Sequence, residues 1–190
     1  MKGRTALTVF VAAALAGAGA GAQGLVEWQD LVMPGACTLR IAVPQGWNAR
    51  MERVAAGVGE IKVTAESGPR AEVTMTQLAL PPGVATQSAG EVKAAVRRMG
   101  EAALVTSVEK DLVLERVDGA DGAGFFYSLT ERRGPSAAGE TRHLTQGIMA
   151  VGPLRLAVTV RAGEPASAAR AMALDLLRTA GCASPRASRQ

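Results

Sequence analysis

Residues 154–161 read Leu-Arg-Leu-Ala-Val-Thr-Val-Arg, with Leu154, Leu156, Val158 and Val160 on alternate positions. Successive side chains of a β-strand point to opposite faces. This period of two therefore gathers one branched apolar row on one face and leaves Arg155, Ala157, Thr159 and Arg161 on the other. A helix would scatter the same apolar side chains around its axis. A chain with such a segment must build a sheet with a face to bury, and other elements must cover that face.

The covering and pairing elements are legible nearby. Residues 38–43 read as a strand stopped by Pro44 and Gly46. Residues 60–65 and 71–80 read as two strands around the Ser67-Gly68-Pro69 turn, with β-branched Val63, Thr64, Val73, Thr74 and Thr76. Residues 111–117 and 123–132 flank Asp118-Gly119-Ala120-Asp121-Gly122, and residues 140–151 and 154–161 flank Gly152-Pro153. Residues 48–58 show no clear period and read at most as one helical turn. Ser88 and Glu91 form a capping box ahead of Val92, Ala95, Val96, Met99, Ala103 and Leu104, whose spacing predicts an amphipathic helix lying on a sheet. A closing helix starts near Pro165 and carries Ala169, Met172, Ala173, Leu176, Leu177 and Ala180 on one side, with Gly181 as its expected C-cap. The expected class is α+β: an antiparallel β-sheet of about six or seven strands flanked by helices, one on either side.

The start of the chain constrains where that fold works. Lys2 and Arg4 precede an apolar run over residues 6–15, and Ala20-Gly21-Ala22 stands before Gln23. A basic start, a short apolar stretch and a small-residue site form the pattern of a secretory signal peptide. The rival reading is a retained anchor, but the Ala-Gly repeat is weakly hydrophobic and suits cleavage better than lipid. No cysteine follows the run, so a lipoprotein attachment site is missing, and no later segment has the roughly 18 consecutive apolar residues of a spanning helix. The expected organisation is a signal peptide over 1–22, a lead-in segment over 23–33, one domain over 34–182 and a frayed tail over 183–190. The expected location is the periplasm or the exterior of a bacterium.

Export also alters the charge and the thiols. The 190-residue chain has 21 basic and 17 acidic side chains. Removing Lys2 and Arg4 leaves 19 against 17, a net charge of +2. With only Trp28, Trp47, Phe125, Phe126 and Tyr127 as aromatics after cleavage, the chain lacks the basic, stacking footprint of a nucleic-acid binder. Cys37 and Cys182 both lie in the exported part. Two thiols in an oxidising compartment commonly pair, and chain ends are often neighbours, so a disulfide is favoured over two separate buried thiols.

Three short stretches carry a resemblance. Ile41-Ala-Val-Pro-Gln-Gly-Trp47, Gly124-Phe-Phe-Tyr127, and the hairpin from Arg142-to-Gly147 through Leu154-to-Val160 resemble segments of the PsbP/DcrB-like family of small exported proteins. The resemblance covers about residues 31–182 and implies an α/β/α sandwich. It also implies a non-enzymatic protein acting through protein contacts, with no catalytic residues to carry over. The missing lipidation cysteine separates this chain from the DcrB-type lipoproteins.

The side chains with reactive chemistry point the same way. His143 is the sole histidine. It lies inside an expected strand, without a Gly-x-Ser-x-Gly elbow, and reads as a sheet or surface residue rather than a catalytic base. One histidine and two distant cysteines lack paired metal-ligand spacing. Glu115, Asp118 and Asp121 lack the alternating ligands of a calcium loop and read as hairpin residues. No phosphate-cradling glycine motif occurs, so no cofactor and no metal are expected. Trp47, Arg132, Arg133, Arg142 and Arg155 are the candidate partner surface, with Arg161 nearby and Glu131 and Glu140 among them. The expected function is non-enzymatic binding or assistance of another envelope protein. The alternative is a small-ligand or lipid-headgroup module using the sheet edge near Trp47.

Overall fold

The computed structural model describes residues 25–55, 58–66, 71–79, 88–132, 142–163 and 168–183. The expected signal peptide over 1–22, the Ser67-Gly68-Pro69 turn, Arg133, Glu140, Pro165 and all of the expected tail over 183–190 except Ala183 lie outside these residues. Seven strands form one antiparallel sheet: β3 (Trp47–Ala55), β4 (Val58–Ala65), β5 (Ala71–Gln77), β6 (Leu114–Gly119), β7 (Gly122–Thr130), β8 (His143–Val151) and β9 (Leu154–Ala162). Their order is β3-β4-β5-β9-β8-β7-β6, two meanders joined where β5 meets β9. A second, three-stranded sheet has the order β1 (Val26–Val32), β2 (Thr38–Pro44) and β10 (Gly181–Ala183). The helices are α1 (Ala89–Leu104), after β5, and α2 (Ala168–Thr179), after β9. Among the described residues the fold is thus α+β, mostly antiparallel sheet with two helices.

Leu154, Leu156, Val158 and Val160 do share one face and are buried in the main core. Ile61 and Val63 of β4, Val73 and Met75 of β5, Met149 and Val151 of β8 and Phe126 of β7 join them. Over this face lie α2 and the inner side of β2, which adds Leu39, Ile41 and Val43. The helix touches β2 as well as β5, β6 and β9, so Leu174 is buried beside Ala173, Leu176 and Leu177. A single apolar stripe cannot show that a helix is packed on two sides, which is why Leu174 stood outside the expected row.

The opposite face is covered over β7 and β8 by α1. Ser88 Oγ accepts from the Glu91 N–H, and the Ser88 N–H donates to Glu91 Oε2 at 2.7 Å, completing the capping box. That N–H and the Ser88 hydroxyl hold the Glu91 carboxyl below its ordinary value. Val92 and Val96 of α1 meet Tyr127, Leu129 and Ile148 in a second, smaller core. A Cβ on Gly100 would strike Leu112 and Tyr127, so the bare backbone there lets the chain after α1 fold back over the helix.

Three expectations change. Residues 26–32 are not a lead-in: β1 pairs with β2 from Val26 opposite Pro44 to Val32 opposite Thr38. The stretch 48–58, read as ambiguous or one helical turn, instead supplies edge strand β3 after Trp47 and the first residue of β4, its alternation obscured by a bulge between Arg53 and Ala55. Gly181 is not a left-handed cap; it opens β10, opposite Arg40. The expected disulfide is present. Cys37 and Cys182 join with their Cα atoms 5.9 Å apart, tying β10 to the turn between β1 and β2.

Candidate interaction surface

The expected surface residues are scattered. Trp47 opens β3, half-buried against the main core. Arg142 stands just before β8, half-buried, and Arg132 just after β7, exposed. All three lie at one end of the large sheet, because the register sets Trp47 against Ala65, Ala71 against Ala162, and Ala162 against His143. Five strand steps still separate β3 from β7, roughly 24 Å at the usual spacing. Trp47 therefore shares no site with Arg132. Arg155 is a correction: it lies at the other end of the sheet, only 6% exposed, and its guanidinium donates to Leu154 O at 2.8 Å and Gly152 O at 3.3 Å. Its chemistry is to tie down the β8–β9 turn, and it offers nothing to a partner.

A groove of about 360 Å³ runs beside Trp47, lined by Leu25, Val26, Glu27, Pro44, Gln45, Gly46 and Glu66. Among the described residues its charged lining groups are the two carboxylates, with no arginine. An anionic headgroup would meet repulsion there.

At the far end, β7, β8 and the segment between α1 and β6 are stitched together. Ser107 bridges Glu131, the Val108 N–H donates to Thr130 O, and the Arg132 N–H donates to Thr106 O. Glu109 Oε2 accepts from the Thr130 N–H at 2.7 Å, and Thr130 Oγ1 lies 2.9 Å from His143 Nδ1. Burial raises the Glu109 carboxyl, but the Thr130 N–H and hydroxyl, with the charge of His143, outweigh it and hold it below the ordinary 4.5. The hydroxyl that donates to Glu109 must accept from His143 Nδ1–H. His143 is thus an element of sheet-end architecture. Arg161 reaches Glu131 at 3.7 Å on the same end.

A carboxylate held below its unfolded value stabilises fully above about 4.5, and that contribution is lost as pH falls through the folded value. Glu109→Gln is expected to cost about 1–2 kcal/mol at neutral pH, as for loss of a charged hydrogen bond. The gap to the wild type should close as the pH is lowered from about 5 to about 3. Urea titrations at both ends of that range check it; a gap independent of pH would remove the carboxylate from the account.

This stitching holds up three exposed aliphatic side chains that sequence reasoning passed over. Val105, Val108 and Val113 are 78%, 57% and 76% exposed, and Met99 of α1 is 38% exposed. Around them the chain offers exposed Arg97, Arg98, Lys110 and Arg132, with Glu101 and Asp111 interspersed. The signal was available: Val105, Val108 and Val113 fit neither the helical stripe before them nor the strand alternation after them.

The acidic residues weighed as a calcium loop diverge. Asp118 binds the Arg116 guanidinium at 2.8 Å, and Asp121 Oδ2 accepts from the Cys182 N–H at 3.0 Å. Glu115 binds Arg170 of α2, which also donates to Thr145 and Ser128. Among the described residues no group of His, Cys, Asp and Glu is placed to hold a metal ion. No helix among them is long and apolar enough to cross a membrane. No family model, no curated protein and no solved structure shows significant similarity to this chain.

Proposed function

We propose that this chain is an exported, non-enzymatic protein that binds another protein of the bacterial envelope through the end of the sheet carrying Val105, Val108 and Val113. The observation that carries the reading is the exposure of these valines on a segment fixed by backbone hydrogen bonds to β7. Large aliphatic groups held in water by a rigid support mark a contact surface, because their burial against a partner releases roughly 25 cal/mol per Å². The mixed charges around them suit a polar rim that sets orientation more than affinity.

The location rests on the leader pattern and on the disulfide, which persists in an oxidising compartment. The first strand begins at Val26, a few residues past the expected cleavage site after Ala22. The PsbP/DcrB-like resemblance belongs to the same reading, and a helix on each face of the large sheet supports it.

The test is mild crosslinking of the tagged full chain in envelope extract, beside a Val105→Asp/Val108→Asp variant. A specific partner captured by the wild type should fall at least tenfold with the variant, while its melting temperature stays within a few degrees. Repeated recovery of no partner would overturn the reading. Sedimentation with anionic phosphatidylglycerol vesicles that is lost in the same variant would move the surface to lipid.

A further inference from the structure

Strand β1 is an open edge, and its chemistry names an occupant. It ends the order of the three-stranded sheet, and among the described residues only β2 lies beside it. Leu25 C=O accepts from the Gln45 N–H at 2.8 Å, and Val26 stands opposite Pro44, which has no N–H. Bonded and non-bonded pairs alternate in an antiparallel ladder. Glu27, Gln29 and Leu31 therefore direct their backbone groups at β2, whereas Val26, Trp28, Asp30 and Val32 direct theirs outward. The same four side chains share the outer face, where Val26, Trp28 and Val32 are 52%, 49% and 71% exposed. The edges of the large sheet are guarded differently. β3 carries Arg50, Glu52 and a bulge, and β6 carries Glu115, Arg116 and Asp118. β1 carries Glu27 and Asp30 but no basic residue, proline or bulge.

The sequence of β1 is complementary to itself. Antiparallel pairing through the outward groups requires even-numbered residues opposite even-numbered ones. A two-fold axis at Gln29 uses the whole strand, setting Val26 against Val32 and Trp28 against Asp30 of the second copy. In this register Asp30 arrives beside the Trp28 ring, over which the Arg40 guanidinium already sits at 5.1 Å. Arg40 also lies 3.7 Å from Asp30 of its own strand pair, so two carboxylates would share two guanidinium groups across the axis. An axis at Trp28 shortens the overlap, and one at Asp30 sets two carboxylates face to face.

We propose that β1 pairs with β1 of a second copy of this chain, antiparallel about a two-fold axis at Gln29, making one six-stranded sheet from two three-stranded ones. This surface is separate from the valine-bearing end, so its failure leaves the proposed partner binding standing. Sedimentation velocity of the purified protein should show a dimer, and Trp28→Lys/Val32→Lys should sediment as a monomer that still unfolds cooperatively, its melting temperature lower only by the lost association. Gln29 faces its own copy in a non-hydrogen-bonded pair, where side chains approach within disulfide reach. Gln29→Cys should form a reducible covalent dimer with the native bridge intact by peptide mapping, and Glu27→Cys should not. A wild type that stays monomeric at its highest soluble concentration overturns the proposal. So does crosslinking at position 27 in place of 29.

Discussion

Removing the Cys37–Cys182 bridge is expected to lower the stability of this protein by up to about 5 kcal/mol, the chain-entropy value for a loop of 145 residues. That is a third or more of the stability of an ordinary domain. The structural reason lies at the chain end. β10 pairs with β2 over only Gly181, Cys182 and Ala183, too few residues to hold by themselves. The bridge converts that short contact into a permanent one, and β10 in turn fixes the end of α2 against the core. Urea unfolding of the oxidised protein, the reduced protein and Cys37→Ala/Cys182→Ala provides the measurement. The two bridge-free forms should agree with each other and unfold at clearly lower urea. Equal midpoints with and without the bridge would show that the closed loop contributes nothing to stability.

The second large effect separates two neighbouring phenylalanines. Phe126 is fully buried on the α2 side of β7, whereas Phe125 is half-buried on the α1 side, with the Lys93 ammonium 5.8 Å from its ring. Phe126→Ala should cost about 3–5 kcal/mol, the usual range for emptying a core aromatic site. Phe125→Ala should cost less than half of that, because water already reaches the ring. Gly147, paired with Phe126 across the strands, is part of the same site: a Cβ there would collide with the Phe126 ring and the Phe125 carbonyl. Chemical denaturation of both alanine variants gives the answer. Equal losses, or the reverse order, would contradict the facing of β7.

How far these features can be read without coordinates follows from the range of the interaction behind each. The row from Leu154 to Val160 and the Ser88–Glu91 box depend on residues a few positions apart, and both appear where the pattern puts them. Arg155 belongs to the same alternating run, yet its guanidinium folds back onto Gly152 and Leu154 and is lost to any partner. A charge in sequence has no address until the turn beside it is built. β1 was passed over for a related reason: Val26-Glu-Trp-Gln-Asp-Leu-Val32 mixes apolar and polar residues on its outer face, so no burial pattern announces a strand. Only the ladder with β2 makes it one.

Local pattern was enough for the alternation that demands a sheet, for the capped first helix and for the expectation that Cys37 and Cys182 pair, and it offered no catalytic motif. These rest on local periodicity and on the chemistry of single residue types. Long-range packing set the second sheet, the double-sided burial of α2, the separation of Trp47 from Arg132 and Arg155 and the exposure of Val105, Val108 and Val113. Each of those depends on which strands become neighbours across long stretches of chain, and residue spacing alone carries no record of that choice.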